Sequence, residues 1–251
     1  MNDNTKPKTE ESWLELAKTV IYAGAIALVI RTFLFQPFNI PSASMEATLL
    51  IGDYLFVEKY AYGYSRYTFP FVAGPLGPAM KGRFPDFKPE RGDVIVFKFP
   101  RDNSTDFIKR LIGLPGDRIQ MKDGILYVND KAIPKVRVED HVETVDGIEN
   151  HVPQFRETLP NGKSYLVLDH EPYNPGDNTG VYVVPAGHYF MMGDNRDNSD
   201  DSRMGVGYVP AENLEGKALF RFFSVDGSAR WWEVWKWPLA IRYSRIFSLI
   251  D

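Results

Sequence analysis

The sequence predicts a mainly β chain on a single N-terminal membrane-spanning helix, with a smaller β-rich subdomain inserted into the main one. Three observations point there. Short runs of strand-forming residues bounded by Gly, Asp, Asn and Pro recur from Tyr54 to Met192. No long helical pattern interrupts them between Ile40 and Gly227, which argues against an alternating α/β sheet. One apolar stretch, Leu14 to Phe35, stands ahead of all of them. With 251 residues, 44% of them hydrophobic, the chain can bury a sizeable core.

Leu14 to Phe35 reads LELAKTVIYAGAIALVIRTFLF. Its uncharged part, Thr19 to Ile30, is 12 residues long, short of the roughly 20 that cross a bilayer. Lys18 and Arg31 can lay their stems along the helix and keep their charges among the headgroups, which lengthens the usable span. The preceding residues mix Lys6 and Lys8 with Asp3, Glu10 and Glu11, unlike the basic start of a cleavable signal sequence.

Beyond the anchor, strands are predicted at Tyr54 to Lys59, Val94 to Phe99, Phe107 to Ile112, Ile119 to Met121, Leu126 to Asn129, Tyr165 to Leu168, Val181 to Val184 and Tyr189 to Met192. The turn at Asp102-Asn103-Ser104 makes a hairpin of the second and third. Between Tyr60 and Arg91, Gly and Pro break all periodicity, and the apolar Phe69 to Pro78 either rests in a membrane interface or covers the domain as a long loop. Lys131 to Asp177 is richer in charges and turns and reads as the insertion. The expected division is a tail at 1–13, the anchor at 14–35, the main β domain at 36–130 and 181–251, and the inserted subdomain at 131–180. Four of the five tryptophans fall in Trp231 to Trp237, near Arg242 and Arg245, a composition suited to a headgroup interface and also met in ordinary cores.

Composition excludes several chemistries. Twenty-nine basic against 33 acidic residues, a net charge of -4, give no reason to expect nucleic acid as a partner. There is no cysteine, hence no disulfide, thiolate nucleophile or cysteine metal site. His141, His151, His170 and His188 lack zinc-motif spacing and read as surface or satisfied structural residues, and the Ser-Lys chemistry set out below calls for no metal or other cofactor.

Three segments carry chemistry. Ile40-Pro41-Ser42-Ala43-Ser44-Met45 sets two hydroxyls just beyond the anchor, although Ser-x-Ser alone is more often a turn. In the strand Phe107 to Ile112, Lys109 shares a face with Phe107 and Leu111, while Arg110 shares the other with Ile108 and Ile112. A lysine on an apolar face loses its proton more readily and could activate Ser44; the other reading is a strand-edge lysine with its charge in water. Gly193 to Arg203 is dense in Asp, Asn and Arg, and it suits internal ion pairs better than a cation cage.

Together these segments resemble the type I signal peptidases, the membrane-bound leader peptidases of bacteria. Pro41-Ser42-Ala43-Ser44-Met45 followed by Thr48 to Asp53 is similar to the family's nucleophile box, Phe107 to Asp117 to its general-base box, and Gly193 to Arg203 with Gly207-Tyr208-Val209-Pro210 to its C-terminal signature. The resemblance implies a signal-peptidase-like catalytic β domain with a Ser-Lys dyad. Ser44 would be the nucleophile and Lys109 the general base. Ser42 would help the Ser44 N–H stabilise the oxyanion, and Ser199 would orient the lysine. Asp201 and Arg203 would form a supporting ion pair, with Asp194 and Arg196 as loop-forming partners.

The implied substrates are signal peptides of secreted preproteins, cut after an Ala-x-Ala-like motif. They would be cut by a single-pass, monomeric enzyme in the bacterial inner membrane, its N-terminus cytoplasmic and its catalytic domain outside. An extended peptide could add to a strand edge at Asp53 to Lys59 or beside Lys109. Two departures stand out, Ala43 where members commonly have Gly and Ala47 where they have Pro; neither removes a proposed catalytic side chain. A self-cleaving or regulatory Ser-Lys domain and a non-enzymatic membrane-anchored assembly protein remain as alternatives at this point.

Overall fold

The computed structural model describes residues 8–68, 82–145, 148–170, 174–230 and 232–250. Helix α1, Lys8–Val29, continues through a π-helical turn, Ile30–Leu34, into the first strand. The stretch Trp13–Leu34 has a mean hydropathy of 1.7 and is long and apolar enough to cross a membrane, with none of it buried against the rest of the chain. Leaving Leu14, Leu16, Val20, Ile21 and Ile26 in water would forgo about 1.5–3 kcal/mol for each side chain, which lipid removes. Helical structure thus begins inside the expected tail, and Phe35, expected to end the helix, begins a strand.

The strands in chain order are β1 (Phe35–Asn39), β2 (Asp53–Glu58), β3 (Val94–Lys98), β4 (Asp106–Gly113), β5 (Arg118–Lys122), β6 (Ile125–Val128), β7 (Lys131–Ala132), β8 (Lys135–Arg137), β9 (His141–Val145), β10 (Ile148–Val152), β11 (Gln154–Thr158), β12 (Ser164–Leu168), β13 (Tyr182–Val183), β14 (His188–Met192), β15 (Val209–Pro210), β16 (Leu214–Ser224) and β17 (Ser248–Leu249), with a short helix α2 (Trp237–Ala240) before the last. The main sheet runs β1-β2-β16-β3-β4-β14-β15, with β17 against β16. Smaller sheets are β13-β5-β6-β7, β12-β11-β8 and the hairpin β9-β10. Because β6 pairs with β7 and β5 with β13, hydrogen bonds of one sheet cross both residue 130 and residue 180.

The expected strands and the β3–β4 hairpin are present, with Ile95 opposite Lys109. The sequence reading missed the longest strand, β16, which sits between β2 and β3. Its pairing shifts register near Gly216, near Leu219 and near Phe222. Each shift resets the two-residue alternation that would have revealed a strand. Pro37 also hid β1, which is tolerated because β1 is the sheet's edge.

The core is divided by β4. Leu111 packs with Ile95, Phe97, Met191 and Val209; Ile112 packs with Ile119, Met121, Phe190 and Met192. A third cluster joins Met45 and Leu49 to Ile40, Leu55, Val57, Val94 and Val96, rooting the segment that carries Ser44. Strand β2 is hydrogen-bonded on both sides, to β1 and β16, so no peptide can add to it as expected. On β4 the partner strand β14 reaches only Arg110 to Gly113, leaving the side beside Asp106 to Lys109 unpaired by β14. Phe69 to Pro78 and Trp231 lie outside the described residues; Trp232, Trp235, Trp237 and Leu239 are exposed rather than core.

Candidate active site

Ser44 lies in a single 3-10 turn, Ala43–Met45, closed by the Glu46 N–H to the Ala43 carbonyl at 3.0 Å. Met45 and Leu49 are fully buried and peg the turn into the core, so Ser44 is carried inward to 7% exposure. Ser42 precedes the turn with extended backbone and makes no capping bond. Its hydroxyl instead stands 3.5 Å from Ser44 Oγ. The Ser44 N–H lies in the first turn of this segment, where helix geometry provides no internal acceptor.

Lys109 comes from the middle of β4 and is 3% exposed. Its Nζ is in hydrogen-bond contact with Ser44 Oγ at 2.5 Å, bridging segments 65 residues apart. This overturns the strand-edge reading, because the amine is not in water. Burial pushes the lysine down to about 8, against the opposing pull of Asp201, Asp200 and Asp194. An amine so placed is neutral in a useful fraction of molecules near neutral pH, and it can accept the serine proton without first having to shed one of its own.

The loop after β14 closes around this pair. The Asn195 N–H donates to the Ser44 carbonyl at 3.1 Å, fixing the serine backbone directly. Gly193 packs so tightly that a Cβ there would lie 2.2 Å from Ser199 Oγ and 2.6 Å from the Ser44 carbonyl oxygen. Ser199 is thus near the serine, but its buried hydroxyl has no hydrogen-bond partner among the described residues and does not hold the lysine amine in this structure.

Asp201 binds Arg203 through Nε at 3.0 Å and Nη2 at 2.9 Å, and it accepts the Gly193 N–H at 3.0 Å. Burial alone would raise the Asp201 carboxyl, but Arg203 and these backbone donors hold it below its usual range. Asp194 and Arg196, which the resemblance implied to be loop-forming partners, each tie the loop to another element. Asp194 receives a bidentate grip from Arg110, at 2.9 and 2.7 Å, and a 2.6 Å bond from Thr48. Arg196 holds Glu157 of β11 at 2.7 and 2.5 Å. Both pairs are buried, with every side chain at 1% exposure or less.

The model of the signal peptidase family, peptidase S26, matches residues 13–223. The chain is 42% identical over 266 residues to a signal peptidase I of Rickettsia typhi, covering 98% of this chain and 96% of that one. It is 44% identical over 240 residues to one of Rickettsia prowazekii, covering 89% and 88%. The chain belongs to the signal peptidase family, peptidase S26. A crystal structure of a signal peptidase I from Enterococcus faecalis V583 shares 31% identity, spanning 52% of this chain and 97% of that one, with a TM-score of 0.31.

Sequence reasoning from the family boxes missed the residues that join them. Arg110 was placed on the face opposite Lys109, yet its partners, Thr48 and Asp194, belong to the nucleophile segment and the C-terminal loop. Glu157 lies in the expected insertion, where nothing marked it as the partner of Arg196. Among the described residues two groups have ligand atoms within 4.8 Å of one another, Glu46 with His141 and Glu143, and Asp169 with Asp177 and Asp197. Asp169 already pairs with Lys135 and Asp197 with the His170 N–H.

Proposed function

We propose that this family member removes N-terminal signal peptides from exported preproteins, with Ser44 as nucleophile and Lys109 as general base. The observation that carries the reading is the 2.5 Å contact between two buried groups, an amine lowered to about 8 and a hydroxyl. Neutral Lys109 accepts the Ser44 proton as Oγ attacks the scissile carbonyl, and the leaving amine then takes that proton. The oxyanion is met by the Ser44 N–H and the Ser42 hydroxyl. Water, deprotonated by the same lysine, resolves the acyl-enzyme. Both reacting groups come from one chain, so a monomer suffices.

The substrate segment would run extended along Asp106 to Lys109 of β4, beyond the reach of β14, with alternate side chains in small subsites that select Ala-x-Ala. The anchor would cross the bacterial inner membrane with its N-terminus in the cytoplasm, and the exposed Trp232, Trp235 and Trp237 would rest among the outer headgroups. Ser199, whose buried hydroxyl makes no hydrogen bond to the described residues, would engage the lysine once substrate binds, and the Asp201–Arg203 pair would hold the loop under it.

The test is cleavage of a preprotein in proteoliposomes by the parent, Ser44→Ala and Lys109→Ala proteins. Both variants should fold, by circular dichroism, and fail to form the acyl-enzyme. Full cleavage by either one rejects the assignment.

A further inference from the structure

A helix leaves its last carbonyls without internal partners, and at the exit of the anchor these are met by the segment after β2. The Lys59 N–H donates to the Leu34 carbonyl at 2.9 Å, the Tyr64 hydroxyl to the Phe33 carbonyl at 2.9 Å, and the Lys59 ammonium to the Arg31 carbonyl at 3.4 Å. Edge-to-face ring contacts run alongside, Phe33 on Tyr64 at 6.1 Å and Phe35 on Tyr60 at 5.9 Å. Lys59 is only 2% exposed. A buried ammonium costs several kcal/mol unless it is well paired, so a methionine would serve packing better. Glu215 attracts the charge from the sheet side, and the hydrogen bond to Arg31 sets the same cation at the negative end of the helix.

No loose linker follows the anchor either. Phe35 opposes Glu58 at once in the β1–β2 ladder, and the eight residues from Phe35 to Ser42 carry the chain at most about 27 Å before the turn that holds Ser44.

We propose that Lys59 and Tyr64 are positioning residues that lock the anchor onto the catalytic sheet, so that Ser44 meets a membrane-held substrate at one fixed height and angle. The inference rests on the peptidase reading above. It gives the clasp a role in choosing which bond of a bilayer-inserted preprotein is cut, and none in the chemistry of the cut itself.

The full-length parent, Lys59→Met/Tyr64→Phe and Lys59→Arg proteins are compared on two substrates: a short soluble peptide spanning a cleavage site, in detergent, and a preprotein in vesicles. The double variant should keep kcat/KM on the soluble peptide within about twofold, yet fall about tenfold or more on the preprotein, with cuts at neighbouring bonds. Lys59→Arg should retain most of the preprotein rate. A parallel fall on both substrates, or no selective fall on the preprotein, overturns the clasp. A parent inactive on both substrates would instead defeat the peptidase reading itself.

Discussion

Replacing Lys109 by methionine is expected to make the folded protein more stable at neutral pH while abolishing turnover. Lys109 is 3% exposed, and burial brings it from 10.5 to about 8, a difference equivalent to about 3 kcal/mol against folding with the charge on. Losing the hydrogen bond to Ser44 returns about 1 kcal/mol. The net gain at pH 7 is about 2 kcal/mol, which for a chain of this size raises Tm by about 4–8 °C. Between pH 8 and 10.5 the folded lysine is neutral while the unfolded one still carries its proton. The parent therefore gains stability across that window and the advantage of the variant shrinks. Thermal unfolding of the full chain in detergent, followed by circular dichroism at pH 7, 9 and 10, measures this directly. A variant less stable than the parent at pH 7, or an advantage independent of pH, would refute the account of a buried, destabilised ammonium.

Other predictions follow from the same geometry. The rate on a saturating or sub-saturating substrate should fall about tenfold per pH unit below about 8, as Lys109 gains its proton; a flat profile over the range where the protein stays folded contradicts a neutral-amine base. Ser42→Ala should lower kcat by about a hundredfold with little change in KM, read by steady-state cleavage of a soluble peptide. Gly193→Ala should disable the enzyme, since its new methyl would displace Ser199 or the Ser44 carbonyl, and a fully active variant would show that this contact is not needed. Arg196→Met strands the buried Glu157 carboxylate and should cost about 3–5 kcal/mol in denaturant unfolding, part of which Glu157→Gln in the same chain should recover.

Much of the candidate site was legible because each local segment advertises its own geometry. In the Lys109 strand both faces are apolar, Phe107 and Leu111 on one and Ile108 and Ile112 on the other, so the sequence showed that the lysine stands among apolar neighbours, while its burial and lowered pKa came from the segments packed over it. The resemblance of three separated boxes supplied the pairing of Ser44 with Lys109, which no single segment could. Less visible were strands whose alternation is broken by register shifts, as in β16, and edge strands disguised by proline, as in β1. Ion-pair partners were the least legible of all. Nothing in the order of residues links Arg196 to Glu157 or Asp194 to Arg110, and neighbours in the loop looked like better partners than they are.

By itself the sequence determined what is encoded within a few residues: an apolar helix that needs lipid, strands with one apolar face, turns at Gly and Asp, and a small hydroxyl segment just past the anchor. Only the tertiary structure decided which charges meet in the dark of the core and how deeply the lysine is withdrawn from water. Local sequence sets dihedral preference and facing; the solvation of a charge depends on every segment that folds over it, and those segments come from the whole length of the chain.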